Sequence, residues 1–282
     1  MKRFITLAIL VLLCASCDRV QKTATDTYII PADIKTLLVQ TVNGGIDILS
    51  IEESGSVADG QVTVEKHAWG LSDEHAQWVL DNIRVDTGNC PGGTGSSCAI
   101  IVTLPPGASA GAHLTLSNVQ PEKVTLKTTN GDVSCPAVAD GDIETTNGSV
   151  TVQDASGPLL ITTSNGTIEI VDYSGSTLSA TTENAAIDCR ISSTKIENAA
   201  FETTNGKIKL YLPEMLPCVV VLSTANGDID FDGVEPDETQ IGDDFIHGIS
   251  HLKETFYRNY SGAGAGKILA QTTNSSIDVD LY

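Results

Sequence analysis

From Val39 to Val279 the chain alternates apolar and polar residues in short runs, such as Val150-Thr151-Val152 and Ile168-Glu169-Ile170. Alternation rich in β-branched residues predicts strands with one buried face. A recurring unit, Thr-x-Asn-Gly-x-Ile, punctuates these runs. Its asparagines are Asn43, Asn130, Asn147, Asn165, Asn184, Asn205, Asn226 and Asn274. Two residues before each stands a threonine: Thr41, Thr128, Thr145, Thr163, Thr182, Thr203, Thr224 and Thr272. Three residues after each stands Ile or Val: Ile46, Val133, Val150, Ile168, Ile187, Ile208, Ile229 and Ile277. Glycine follows the asparagine except at Ala185 and Ser275. Apolar residues also fall four before each asparagine, from Val39 and Leu126 to Phe201 and Leu222, and again five after it. Asn-Gly between two such strands predicts a turn, because both residues accept positive φ at low cost.

The spacing of the asparagines discriminates between a hairpin stack and a solenoid. Between Asn130 and Asn226 successive intervals are 17, 18, 19, 21 and 21 residues. That length suits one coil of a solenoid, each coil stacking on the preceding one at ~4.8 Å. The predicted class is therefore all-β, a single-chain β-solenoid with one short N-terminal helix. Equivalent residues would form ladders, Ile on Ile inside and Asn on Asn at the corner. Thr hydroxyls there would satisfy turn amides. Cys135 and Cys189 occupy the position five after their asparagine, filled elsewhere by Ile48, Val152, Ile170, Leu210, Phe231 and Val279. They read as small core residues, separated by three coils, roughly 14 Å, too far for a disulfide.

Two segments break the period, 49–112 and 232–267. The first carries Val62-Thr63-Val64, then a helix predicted from Ser72. Ser72 is a good N-cap, Asp73 and Glu74 suit the first turn, and Ala76, Val79, Leu80 and Ile83 form an apolar stripe. A strand follows over 99–104, ended by Pro105-Pro106-Gly107. With these elements, the coils, and Gly264-x-Gly266-Lys267-Ile268 leading into Thr272-Thr273-Asn274, the chain resembles the bacterial "putative adhesin" solenoid domain over about residues 28–282. The resemblance implies the fold. That family has no established catalytic residues or function to carry over.

The first residues read as an export signal. Lys2 and Arg3 precede an apolar run, Phe4 to Leu13, too short to span a bilayer. Ala15 and Ser16 directly before Cys17 resemble a bacterial lipobox, with Cys14 where leucine is usual. The expected organisation is a signal peptide over 1–16, a lipid-anchored tether over 17–27 with the acyl groups on Cys17, and the solenoid over 28–282. An ordinary signal peptide cut nearby is the competing reading. Cys90 and Cys98 flank a turn-rich Pro-Gly-Gly-Thr-Gly-Ser-Ser span and form the candidate disulfide.

Charge narrows the partners. The formal net charge is −20, and loss of Lys2 and Arg3 makes the mature chain about −22. So acidic a body repels phosphate, so nucleic acid is not an expected partner. It also repels anionic lipid, so membrane attachment needs the anchor. Four after each asparagine lie Asp47, Ser134, Thr151, Glu169, Asp188, Lys209, Asp230 and Asp278, a largely acidic outward stripe. In sequence order Lys207 and Lys209 fall one coil from Asp188, Asp228 and Asp230, and would partly neutralise it. Asp228-x-Asp230-x-Asp232 with Asp243-Asp244 offers hard oxygens for calcium, but alternating carboxylates on one strand diverge. His247 and His251 have helical i,i+4 spacing without the glutamate of a metalloprotease. Gly262-x-Gly264-x-Gly266 precedes a strand, so it lacks the helix that cradles phosphate. No metal or cofactor is expected. The expected function is a non-enzymatic, membrane-anchored envelope module, of the periplasm or the cell exterior, that binds a protein or polysaccharide or serves adhesion. The alternatives are a polysaccharide-active enzyme, with Asp243 or Asp244 as candidate acids, and a cation-dependent binder.

Overall fold

The computed structural model describes residues 19–31, 34–49, 60–87, 90, 97–214, 216, 218–232, 254–259 and 266–282. The leader with Cys14 and Cys17, the pair Asp243-Asp244, His247, His251, Gly262 and Gly264 lie outside them.

The alternating runs form strands in two facing sheets of 11 strands each. The N-terminal part contains β1 (Val20–Ile30), β2 (Thr36–Gln40), β3 (Ile46–Ile48) and β4 (Gly60–Gly70), then helix α1 (Asp73–Asp81), β5 (Arg84–Asp86), β6 (Ser97–Thr103) and β7 (Ser109–Ser117). The regular coils follow as pairs. They are β8 (Lys123–Lys127) with β9 (Val133–Val138), β10 (Gly141–Glu144) with β11 (Val150–Ala155), and β12 (Leu159–Thr162) with β13 (Ile168–Tyr173). Next come β14 (Thr177–Thr181) with β15 (Ile187–Ile191) and β16 (Asn198–Glu202) with β17 (Ile208–Leu212). The chain ends with β18 (Cys218–Thr224), β19 (Ile229–Asp232), β20 (Glu254–Asn259), β21 (Gly266–Thr272) and β22 (Ile277–Leu281).

In each coil the first strand lies in one sheet, the Thr-x-Asn corner turns the chain, and the second strand lies in the other sheet. Neighbouring coils pair in parallel and in register, for example Ile143 beside Ile161 and Val150 beside Ile168. The inward residues meet between the sheets. Leu126, Ile143, Ile161 and Phe201 from one face and Val150, Ile168, Ile187 and Ile208 from the other are fully buried. Each such side chain contributes about 1.5–3 kcal/mol of burial. Cys135 and Cys189 are buried in the same rows.

The coils do not stack in sequence order at either end, which corrects the expectation that each coil lies on the one before it. The strand order β17-β22-β19 in one sheet and β16-β21-β18 in the other places the last coil, β21/β22, between two earlier ones. At the opposite end β2/β3 lies between β6/β7 and β8/β9. Thus β6 and β7, inside the segment expected to be irregular, form a coil of their own. Its corner is Pro105-Pro106-Gly107, where Gly107 has φ +71° and so needs glycine.

Beyond that coil β4 and β1 extend one sheet as antiparallel strands. Strand β1 takes in residues 20–27, which were expected to belong to the tether. Helix α1 is capped by Ser72, whose Oγ accepts the amide of His75 at 3.2 Å. It buries Ala76, Val79 and Leu80. Cys90 and Cys98 are joined by a disulfide, tying the chain after β5 to the start of β6.

Candidate binding surface

The corners determine what the surface can offer. In each the asparagine side chain donates Nδ2–H to the Oδ1 of its spatial neighbour. The ladder runs unbroken from Asn226 through Asn274, Asn205, Asn184, Asn165, Asn147 and Asn130 to Asn43, with distances from 2.5 to 2.8 Å. Asn43 closes it by donating to the Ala110 carbonyl at 3.0 Å. The buried threonine two residues earlier spans the layers. Thr163 Oγ1 donates to the Gly148 carbonyl of the neighbouring coil at 3.1 Å and accepts the Gly166 amide at 3.2 Å. These polar groups are consumed by the scaffold.

The corner glycine has a reason other than the one expected from sequence. Among the described residues positive φ occurs only at Gly107 and Asn118, so the Asn-Gly corners do not use it. Instead the backbones pack too closely for a side chain. A Cβ on Gly148 would lie 1.8 Å from the Gly131 carbonyl oxygen, and one on Gly166 1.6 Å from that of Gly148. Glycine is selected by contact between coils.

On one sheet the outward stripe reads, in spatial order, Asp47, Ser134, Thr151, Glu169, Asp188, Lys209, Asp278 and Asp230. Because β22 intervenes, Lys207 pairs with Asp278, and Lys209 pairs with Asp280 at 3.2 Å. Asp228 and Asp230 lie one strand further out, which corrects the expected neutralisation by these lysines. Tyr211 and Asp280 together hold the Lys209 ammonium well above its ordinary range. Partial burial raises the Asp188 carboxyl against the pull of Lys209. His113 Nε2 lies 3.0 Å from Asp47 at the other end of the stripe.

The second sheet carries the groove. Residues three before and one before each asparagine flank the buried threonine and point outward. Across β14, β16, β21 and β18 they enclose about 400 Å³, lined by Thr181, Glu183, Glu202, Thr204, Gln271, Thr273 and Ser223, among others. Register places Thr181 beside Glu202, Glu202 beside Gln271 and Gln271 beside Ser223. Ser223 is only 4% exposed, and its Oγ has no hydrogen-bond partner. The lining combines two carboxylates, several hydroxyls and one amide with no cation, which suits a hydroxylated or cationic ligand. A second groove of about 590 Å³ crosses the opposite edge, with Pro121, Pro136, Asp154 and Asp172 in its lining. Among the described residues no group of three His, Cys, Asp or Glu side chains could hold a metal.

The sequence reading tracked the outward position four after each asparagine and missed the first groove. Its signal is present in the motif. Where most coils carry Thr or Ser one before the asparagine, Glu183 stands there, and Glu202 stands three before the next.

Comparison with known proteins bears on this architecture. A model of the Toastrack DUF4097 family matches residues 21–250. A "putative adhesin" from Bacteroides fragilis NCTC 9343 is 10% identical with a TM-score of 0.43, the match covering 92% of this chain and 97% of that one. A "putative adhesin" from Parabacteroides merdae ATCC 43184 is 9% identical with a TM-score of 0.38, covering 93% and 96%. A "putative cell adhesion protein" from Clostridium sporogenes ATCC 15579 is 10% identical with a TM-score of 0.35, covering 93% and 100%. No functionally curated protein matches the chain. With the family model spanning most of its length, the chain belongs to the Toastrack DUF4097 family.

Proposed function

We propose that this protein is a non-enzymatic recognition module of the bacterial envelope, tethered through lipid on Cys17, that binds a protein or polysaccharide along its Asn-corner groove. The observation that carries this reading is the division of polar groups between scaffold and surface. Buried threonines and stacked asparagines are spent on holding the coils together. The residues flanking them, Glu183, Glu202, Thr204 and Gln271, line an open groove at fixed ~4.8 Å intervals. A rigid scaffold presenting pre-positioned polar groups loses little freedom on binding. A lipobox-like leader and a short tether would hold such a surface outside the cytoplasm.

The test is photo-crosslinking in cells of the full-length chain, with the crosslinker at Thr204 in the groove or at Leu160 on the neighbouring outward face. A discrete adduct from Thr204 that is absent from Leu160 and weakened by Glu202→Gln supports the reading. Adducts from Leu160 alone would sink the groove as the contact.

A further inference from the structure

A second surface has a different chemistry. Helix α1 turns Ala76, Val79 and Leu80 onto β4 and β1, which brings Leu71, His75 and Trp78 out on the opposite side. Leu71 is 85% exposed and Trp78 54%. The three are contiguous. The Leu71 amide meets His75 Nδ1 at 3.4 Å, and the His75 ring stacks on Trp78 with centroids 6.4 Å apart. On a body of net charge −20, this is an apolar and aromatic patch at one end of the coil stack.

Its position identifies the occupant. Strand β1 starts at Val20, which pairs with Gly70, the residue before Leu71. Lys22 then reaches α1 through an ion pair with Asp73 at 2.7 Å. Cys17 lies three residues before Val20, so an extended chain holds the two within about 10 Å. Acyl chains on Cys17 enter the bilayer, and the residues that close to them sit at headgroup level. Leucine and tryptophan are side chains that this interface takes up. Near the patch Lys22 is paired with Asp73 and Arg19 is positive, while Glu74 and Asp81 are exposed carboxylates, so the contact suits a neutral rather than an anionic lipid interface.

We infer that the α1 cap, through Leu71 and Trp78, rests in the membrane interface beside the anchor. The inference rests on the proposed lipidation of Cys17.

The chain has two tryptophans, Trp69 and Trp78, so Trp69→Phe leaves Trp78 as sole reporter. Full-length protein purified from a lipoprotein-processing bacterium is reconstituted into phosphatidylcholine vesicles with ordinary or brominated acyl chains. The mass of its N-terminal peptide is measured in parallel. With Cys17 acylated, brominated lipid is expected to quench Trp78 emission roughly twofold, as for a ring at the interface. Equal emission in both lipids from an acylated protein overturns the cap contact and leaves the anchor standing. An unmodified Cys17 overturns both. If Trp69→Phe does not fold, the wild-type protein is compared with Trp78→Ala. Quenching that survives Trp78→Ala assigns the contact elsewhere and also overturns the inference.

Discussion

Asn226 donates its side-chain amide to Asn274, 48 residues further along the chain, at 2.8 Å. Asn274 donates in turn to Asn205, 69 residues before it. The ladder is continuous in space while the chain that builds it doubles back. After β16/β17 the chain leaves a coil-wide space, builds β18/β19 and β20 beyond it, and returns to fill it with β21/β22. The final coil is therefore an internal one.

Removing the last coil should consequently cost more than removing an end. Among the described residues β19 pairs only with β22, and β18 retains only β20 once β21 is gone. Deleting 266–282 is expected to abolish hydrogen-exchange protection in β18 and β19. Strands β10 to β13, which lie several coils away, should keep theirs. Full protection of β18 in the truncated chain would contradict this coil order.

The corner threonines should behave as structural hydroxyls. Thr163 is 2% exposed and bridges the Gly148 carbonyl and the Gly166 amide. Thr163→Val keeps the shape and removes both bonds, for an expected loss of about 1–3 kcal/mol. Thr163→Ser keeps the hydroxyl and should lose less. Denaturant melts of the two variants decide it, and a valine variant as stable as the serine one would refute the role.

Close approach at the corner makes an equally direct prediction. With 1.6 Å between a Cβ on Gly166 and the Gly148 oxygen, Gly166→Ala must push two coils apart. The expected cost is about 3 kcal/mol, at the upper end for overpacking. Ala185 already carries a Cβ at the equivalent position, so Ala185→Gly should change stability by no more than about 1 kcal/mol. Thermal melts of both variants compare the two corners, and equal shifts would argue against the contact.

These residues also show how far the sequence could be read. The solenoid, its corners and helix α1 were legible because each coil repeats the same solution to burying one strand face, so eight copies reinforce one pattern. Three features were not legible. The β6/β7 coil turns on Pro105-Pro106-Gly107, so it lacks the asparagine that marks the others. The return of β21/β22 leaves no local trace, because a parallel strand pairs as well with a later neighbour as with an earlier one. The reason for the corner glycines lies in the distance between backbones, which no single coil contains. For the groove, Glu183 was visible as a departure from a position that is mostly Thr or Ser, but the register of Glu202 beside Gln271 depends on that same return.

The buried cysteines give a pH dependence with a definite sign. Burial pushes the Cys135 thiol up to about 12 and the Cys189 thiol well above its ordinary range. In the unfolded chain a thiol ionises near pH ~8.5. Between those values the unfolded state releases a proton that the folded state retains, so stability falls as pH rises. The slope approaches about 1.4 kcal/mol per pH unit for each thiol. Val152 and Val279 show that valine fits this row. The double variant Cys135→Val, Cys189→Val is therefore expected to lose less stability than the wild type between pH 8 and 10.5, in melts at each pH. The same burial predicts that neither thiol is alkylated at pH 8 in the native protein, while both react in denaturant. Parallel pH profiles for variant and wild type, or rapid native alkylation at either position, would show that these residues are not sealed between the sheets.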